Sequence, residues 1–313
     1  MILFFKPVLT HNIWGGTKLR DIWKYDIDGN DIGECWGIAA HAHGDVVVSE
    51  GKYAGKHLSE LWRDYPELFY AQGYQNSDRF PLLVKIIAAD KDLSIQVHPD
   101  DEYAREHENG SLGKTECWYI LDCEEDSKLV VGHNAKTKEE LDSMIDDKRW
   151  NEFIREIPIH KGDFISILPG TVHAIKGGIT LIEVQQNSDI TYRVYDYDRL
   201  SNGKPRDLHI RQSKDVITVP ALAPADSLMH DDDSAEILEL LKCKYFDVWR
   251  IKVDGEYRGR QDHPFTLMTV FDGEGTIDGH KIHRGSHFLL TADVNEYCIK
   301  GNLKIIASGV PVR

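Results

Sequence analysis

Apolar residues along this chain fall mostly in short alternating or continuous runs, broken repeatedly by Gly, Pro, Asn and Asp. That texture predicts many short strands and few helices. Residues 81–88 are apolar almost throughout, which predicts a strand buried on both faces. Further strand-like runs are 93–98, 116–121, 128–131, 163–168, 179–186 and 191–197. Three segments carry a helical period instead. In 57–69, Leu58, Leu61, Trp62 and Tyr65 fall at i, i+3, i+4 and i+7. In 99–107, a proline and acids occupy what reads as a first turn. Thr137-x-x-Glu140 has the form of a capping box. It opens a face of Leu141, Met144 and Ile145 that continues through Trp150, Phe153 and Ile154. These segments predict surface helices attached to a β core.

After residue 217 the chain reads TVPALAPADSLMHDDDSAE, whose prolines, alanines and run of Asp predict a linker. Beyond it lie short strand-like runs at 246–253, 265–271, 275–277, 288–290, 296–299 and 303–307. Asp272-Gly273 and Asp278-Gly279 read as hairpin turns. Strands this short and numerous predict a mainly β jelly roll or sandwich. The division is expected between a unit at 1–230, with helical insertions, and a smaller β unit at 235–313.

Composition narrows the partners. The 313 residues carry a net charge of −15, which disfavours nucleic-acid backbones and anionic membranes. A small anion remains compatible, because a pocket can be basic inside an acidic protein. Only five apolar residues precede Lys6 and Pro7, too few for an export signal, and no run approaches a membrane span. The five cysteines are scattered without a CxxC, so reduced thiols and a cytoplasmic protein are expected. The sequence leaves the oligomeric state open.

Four residues then stand out. Gln96 and His98 are two apart, so on a strand both face one side. Glu116 follows in GKTECWY, and His173 ends the string GDFISILPGTVH. Two imidazoles and a carboxylate suit a borderline cation such as zinc, and an amide carbonyl from Gln96 could add a fourth ligand. Any one of the 15 histidines is more plainly an ordinary surface residue. The joint pattern outweighs that reading. Farther on, Arg193, Tyr195 and Tyr197 share a face if 191–197 is a regular strand. Arg193 alone reads as a solvated arginine paired with Asp196 or Asp198, and its aromatic neighbours read equally as packing.

The Q-x-H string, the isolated Glu and the G-D-x5-P-G-x2-H string together resemble the two motifs of the cupin superfamily, in divergent form. The first position is Gln rather than His, and Glu116 lies 18 residues after His98. A narrower resemblance is carried by PLLVKIIAADKDLSIQVHPDDEYA, GKTECWYIL, LPGTVHAI and LIEVQQNSDITYRVYDYDR, with HNIWGG and GECWGI near the start. These are similar to the type I mannose-6-phosphate isomerases in their short bacterial form, over residues 8–212 at least. The resemblance weakens over 235–313, which looks like a small degenerate second cupin in which no metal is expected despite His280, His283 and His287. It implies a bicupin, with one Zn2+ per chain on Gln96, His98, Glu116 and His173. It also implies an enediol isomerisation of mannose 6-phosphate and fructose 6-phosphate. Thr115 replaces a proline common in the family, a backbone preference rather than a ligand.

The resemblance also points to Glu183 and Arg193. Metal-bound imidazoles lack a free lone pair, so Glu183 or Lys114 is the better base. Arg193 suits either the enediolate or the phosphate, and Lys85 and Lys114 are further phosphate candidates. Other metal-dependent cupin enzymes, including Fe(II) dioxygenases, would use the same ligands. A non-enzymatic sugar-binding bicupin would need neither Glu183 nor Arg193. A fused sugar-nucleotide transferase would need a longer chain and a nucleotide loop that GGTKLR does not supply.

Overall fold

The computed structural model describes residues 1–70, 78–201, 203–224 and 227–311. It is a mainly β cupin structure with a few surface helices, built on three sheets. The first has seven strands in the order Leu228–His230, Asp163–Ile167, Glu116–Asp122, Thr180–Gln186, Leu82–Ala88, Ile32–Ile38 and Val8–Gly16. A five-stranded sheet lies against it, in the order Ile154–Pro158, Lys128–His133, His173–Ala174, Ile95–Val97 and Tyr192–Tyr195. Trp118, Ile120, Ile165 and Leu181 from the first sheet pack on Leu129, Val131 and Ile157 from the second. That apolar contact closes the sandwich at one end and leaves the other end for polar groups.

The third sheet explains why the central strands read as continuous apolar runs. It holds Ile237–Lys242, Asp247–Arg260, Thr266–Ile277, His287–Leu290 and Glu296–Gly309. Its Phe246, Val248, Leu267 and Ile306 share a core with Leu82, Val84, Ile86, Cys117 and Tyr119 on the outer face of the seven-stranded sheet. The strand Leu82–Ala88 is therefore buried at every position, as its apolar run predicts.

Several expectations need correction. Ile2–Lys6, within the stretch assigned to the first unit, pairs with His287–Leu290 in the third sheet. The Asp272-Gly273 pair is no hairpin turn. It lies inside the single strand Thr266–Ile277, just past a register shift between Val270 and Asp272, with Gly273 at φ +75°. Asp278-Gly279 does turn the chain, between Thr266–Ile277 and His280–His283. The runs at 296–299 and 303–307 are likewise one strand, Glu296–Gly309. The supposed linker contains the strand Leu228–His230, and two of its aspartates, the buried Asp231 and the half-buried Asp233, are tied to cations, while Asp232 is exposed. Arg250 donates to both carboxylate oxygens of Asp231 at 2.7 Å, Tyr119 donates to Asp231 at 2.8 Å, and Lys304 reaches Asp233 at 2.7 Å. Residues 225 and 226 of that stretch lie outside the described residues.

The helices form where their signals stand but with other bounds: the first stops short of 69, and the second starts at Asp101 and ends at His107 as expected. Leu58–Asp64 begins with a capping box between His57 and Glu60. It ends at Tyr65 because Pro66 follows, which disfavours the helical region for the residue before it. Asp100 caps Asp101–His107 by accepting from the Tyr103 N–H. Thr137 caps Lys138–Asp146, but the Glu140 carboxylate accepts from the Lys136 N–H rather than from the cap residue. The helical face does not run on to Ile154. Lys148 takes φ +54°, a separate turn spans Trp150–Phe153, and Ile154 opens a strand. No helix among the described residues is long and apolar enough to cross a membrane.

His287 gives the fold a dependence on acid. It is buried among Tyr25, Thr269 and Cys35, with Tyr25 Oη 2.7 Å from Nε2 and Thr269 Oγ1 2.9 Å from Nδ1. Burial pushes its pKa down to about 3, and pushes the Tyr25 and Cys35 groups up, so all stay uncharged. The unfolded chain binds a proton near pH 6.5 that the folded chain takes only near 3. Stability from this group is therefore complete above 6.5 and is lost as pH falls, by up to about 1.4 kcal/mol per unit. We expect urea midpoints of the wild type to fall more steeply between pH 6.5 and 4.5 than those of His287→Gln. Parallel curves would remove His287 from the account.

Candidate active site

The two facing sheets set the site by register. Glu116 opens its strand and, with Trp118 and Ile120, points into the sandwich, opposite Ile167 and Gln185 on the neighbouring strands. From the other sheet, His173 pairs with Gln96, and Gln96 pairs on its far side with Arg193. The Pro169-Gly170 turn delivers His173. Gly170 takes φ +80° and donates its N–H to the His98 carbonyl at 2.9 Å. A side chain at Gly170 would also collide with Thr218. The string of spaced glycines thus ties the turn before His173 to the residue that supplies the second imidazole.

His98, Glu116 and His173 converge, with one ligand atom from each lying within 4.8 Å of the others. The Glu116 oxygens are 3.3 Å from His173 Nε2 and 3.5 Å from His98 Nε2. All three side chains are buried. His98 Nδ1 lies 2.7 Å from the Ile190 carbonyl and His173 Nδ1 2.9 Å from the Thr171 carbonyl. A carbonyl only accepts, so both Nδ1 atoms carry the proton and both Nε2 lone pairs face Glu116. Burial holds His173 down to about 4 and His98 well below its ordinary value, so both are neutral. Burial, with the nearby Glu183 charge, pushes Glu116 above its ordinary range, and the Lys114 ammonium works against that. Among the described residues no backbone N–H reaches either Glu116 oxygen, and Lys114 is the cation against it. The Lys114 ammonium sits 2.6 Å from Oε2 and 3.0 Å from His98 Nε2, which compensates part of that charge.

Two neutral imidazoles fixed by backbone carbonyls, with both Nε2 lone pairs turned to one buried carboxylate, fit a divalent metal ion. The Gln96 amide adjoins the group, with Nε2 3.3 Å from His173 Nε2. Turning that amide by 180° presents its oxygen instead.

Beside this cluster lies a cavity of about 150 Å³ whose walls include Asn12, Gln96, Lys114, Glu183, Arg193 and Arg206. Glu183 accepts from the Trp118 indole N–H at 3.0 Å, and Lys85 is 3.3 Å from its other oxygen. Burial opposes ionisation of Glu183, but the charges of Lys114 and Lys85 outweigh it and hold the carboxyl down to about 2. Lys85 is also 3.8 Å from Glu34 and lies over the Trp36 ring. It is thus engaged in holding carboxylates rather than free to grip a phosphate.

Arg193 is half-buried, donating to Ser94 Oγ at 3.3 Å and to the Asp207 carbonyl at 2.9 Å. It makes no pair with Asp196, which is taken by Arg199 and Arg206 at 2.6 Å each. The shared face of Arg193, Tyr195 and Tyr197 does not form. A bulge between Arg193 and Tyr195 sets Tyr195 opposite Ile95, and its ring stacks on Trp150, 4.7 Å away. Those aromatics are packing outside the cavity.

Sequence reasoning missed Arg206, Asn12 and Glu34 as cavity residues. Arg206 arrives on the hairpin of Leu200–Ser201 and Lys204–Pro205, whose Gly203 and Pro205 were the only local signal.

The comparisons bear on the whole chain. The model of the phosphomannose isomerase type I catalytic domain matches residues 2–120, and that of the mannose-6-phosphate isomerase cupin domain matches 236–310. The mannose-6-phosphate isomerase ManA of Bacillus subtilis is 48% identical, over 98% of each chain. A crystal structure of the mannose 6-phosphate isomerase from Bacillus subtilis superposes with TM-score 0.92 at 42% identity, over 99% of each chain. A zinc-bound mannose 6-phosphate isomerase shares the fold, with TM-score 0.78 at 15% identity over 99% of this chain and 100% of its own.

Proposed function

Because the chain belongs to the type I mannose-6-phosphate isomerases, we propose that it interconverts mannose 6-phosphate and fructose 6-phosphate through an enediol. We assign His98, Glu116 and His173, with the Gln96 amide oxygen, to hold one Zn2+ per chain. The observation that carries this reading is the convergence of two imidazole lone pairs on one buried carboxylate beside a cavity rich in cations. Bound there, the ion would supply a Lewis acid for negative charge on the sugar oxygens.

The remaining work falls to the chain's own side chains. We assign the Glu183 carboxylate as the base that takes the proton from C2 of the aldose. The C–H electrons form the C1–C2 double bond, and the carbonyl oxygen at C1 takes a proton to give the enediol. Return of a proton to C1 and loss of the O2 proton give the ketose, so no external oxidant or reductant takes part. The pair with Lys85 supports Glu183 in the proton-accepting form. Lys114 is the donor we assign to the sugar oxygens. Arg193, cross-strand from Gln96, is assigned to the developing oxyanion, and Arg206 to the phosphate.

The test is a coupled assay following fructose 6-phosphate produced from mannose 6-phosphate. Activity should vanish after exhaustive chelation and return on addition of one equivalent of Zn2+. Turnover that survives with no metal detectable would defeat the metal assignment. Failure of the metal-loaded chain to convert this substrate would defeat the reaction assignment.

A further inference from the structure

A second group of ligating side chains lies on the surface, apart from the site just described. His41 and His43 stand on the hairpin formed by Ala40–His41 and Gly44–Asp45. Asp189 lies on the segment that follows Thr180–Gln186. One Asp189 oxygen is 3.5 Å from His41 Nε2, and the other contacts His43 Nδ1. One ligand atom from each of the three lies within 4.8 Å of the others. They border an open cavity of about 550 Å³ that admits solvent ions.

The group is held by more than its own contacts. The buried Asn187 donates to the Ala40 carbonyl at 2.9 Å and to the Phe80 carbonyl at 2.8 Å. The neighbouring Ser188 donates to the Leu112 carbonyl at 3.0 Å. The two chain segments that bring the ligands are therefore fixed to each other and to the core. The His41 ring rests on Trp36, with centroids 5.9 Å apart.

We propose that His41, His43 and Asp189 form a second divalent-cation site, suited to zinc or a similarly borderline ion. Two imidazoles and one carboxylate are a donor set for such ions, with water completing the shell. A tetrahedral ion with bonds of ~2.0–2.1 Å holds its ligand atoms roughly 3.3 Å apart, close to the 3.5 Å between His41 Nε2 and Asp189, and the remaining ligand atoms already lie within 4.8 Å. The His43 N–H donates to His41 Nδ1 at 3.2 Å, so the His41 proton lies on Nε2 without an ion. A bound cation takes the Nε2 lone pair, and the proton moves to Nδ1 as that long hydrogen bond is given up. The chain's net charge of −15 raises the local cation concentration. Asp189 also adjoins Ile190, whose carbonyl supports His98, so the ion would sit one residue from the support of the buried site.

Binding, rather than turnover, is the readout, which keeps the test separate from the isomerase reading. Holoenzyme freed of loosely held ions by gel filtration is titrated calorimetrically with ZnCl2 near pH 7.5. The wild type should take up one further equivalent per chain. His43→Ala, at an exposed hairpin tip, should bind it about tenfold or more weakly, and Asp189→Asn likewise. Both should keep the metal of the buried site. No further uptake by the wild type, or equal uptake by wild type and His43→Ala, overturns the proposal and leaves a plain His–Asp ion pair.

Discussion

Glu116→Gln should leave the protein folded, strip the buried site of metal, and lower kcat/KM for mannose 6-phosphate by about 10³-fold or more, roughly 4 kcal/mol. The substitution keeps the shape and removes the charge. Glu116 is the single carboxylate among the assigned ligands, and both its oxygens are buried. Two imidazoles and two amides would then surround a divalent ion with no compensating negative charge, in a region that solvates charge poorly. Lys114, 2.6 Å from the carboxylate, would add uncompensated positive charge beside it. His173→Ala should give the same joint loss by another route, because it removes an Nε2 lone pair held in place by the Thr171 carbonyl. Metal content by atomic absorption, circular dichroism and steady-state kinetics on the same samples decide the matter. Either variant retaining stoichiometric metal at wild-type turnover contradicts the ligand assignment.

That His98, Glu116 and His173 come together was legible because their spacing is a consequence of backbone geometry. Gln96 and His98 stand two apart, and the turn glycine at 170 has a steric reason to precede His173. The strand Leu82–Ala88 was legible because both its faces are covered, so its apolar run is broken only by the buried Lys85. The start of Lys138–Asp146 was legible from Thr137, whose side chain accepts the Glu140 N–H at the cap, whereas the acids read as a first turn at 99–107 include the cap itself, Asp100.

What stayed hidden has different causes. Ile2–Lys6 owes its place to Leu289 and Leu290, nearly the whole chain away, and no local pattern encodes such a partner. Val8–Gly16 shifts register twice against Ile32–Ile38, which erases the period of two that would mark a strand. Asp272-Gly273 has the composition of a turn because Gly273, just past a register shift within its strand, also takes a positive φ. One extra residue between Arg193 and Tyr195 sent the tyrosine to the opposite face. The Asp231–Asp233 run read as linker because the cations that hold Asp231 and Asp233, namely Arg250, Lys252 and Lys304, come from strands beyond it. In each case the deciding interaction is non-local or turns on a single inserted residue.

Arg193→Ala separates the two tasks open to that side chain. If Arg193 holds the oxyanion, the variant keeps its metal and near-normal KM but loses about 10²–10³-fold in kcat, the usual loss for one oxyanion donor. If it grips the phosphate instead, KM should rise and kcat should fall less. We expect the first pattern. Arg193 is the cross-strand neighbour of Gln96, and its guanidinium is aimed by Ser94 Oγ and the Asp207 carbonyl rather than neutralised by a carboxylate. Arg206, on the same cavity wall, shares Asp196 with Arg199 and is the cation assigned to the phosphate, so Arg206→Ala should show the KM pattern. Arg193→Lys should recover only part of the loss, because a point charge lacks the planar fork that bonds Ser94 and Asp207 while still facing the substrate. An Arg193→Ala enzyme at wild-type kcat and KM would mean that this arginine serves the strand rather than the reaction.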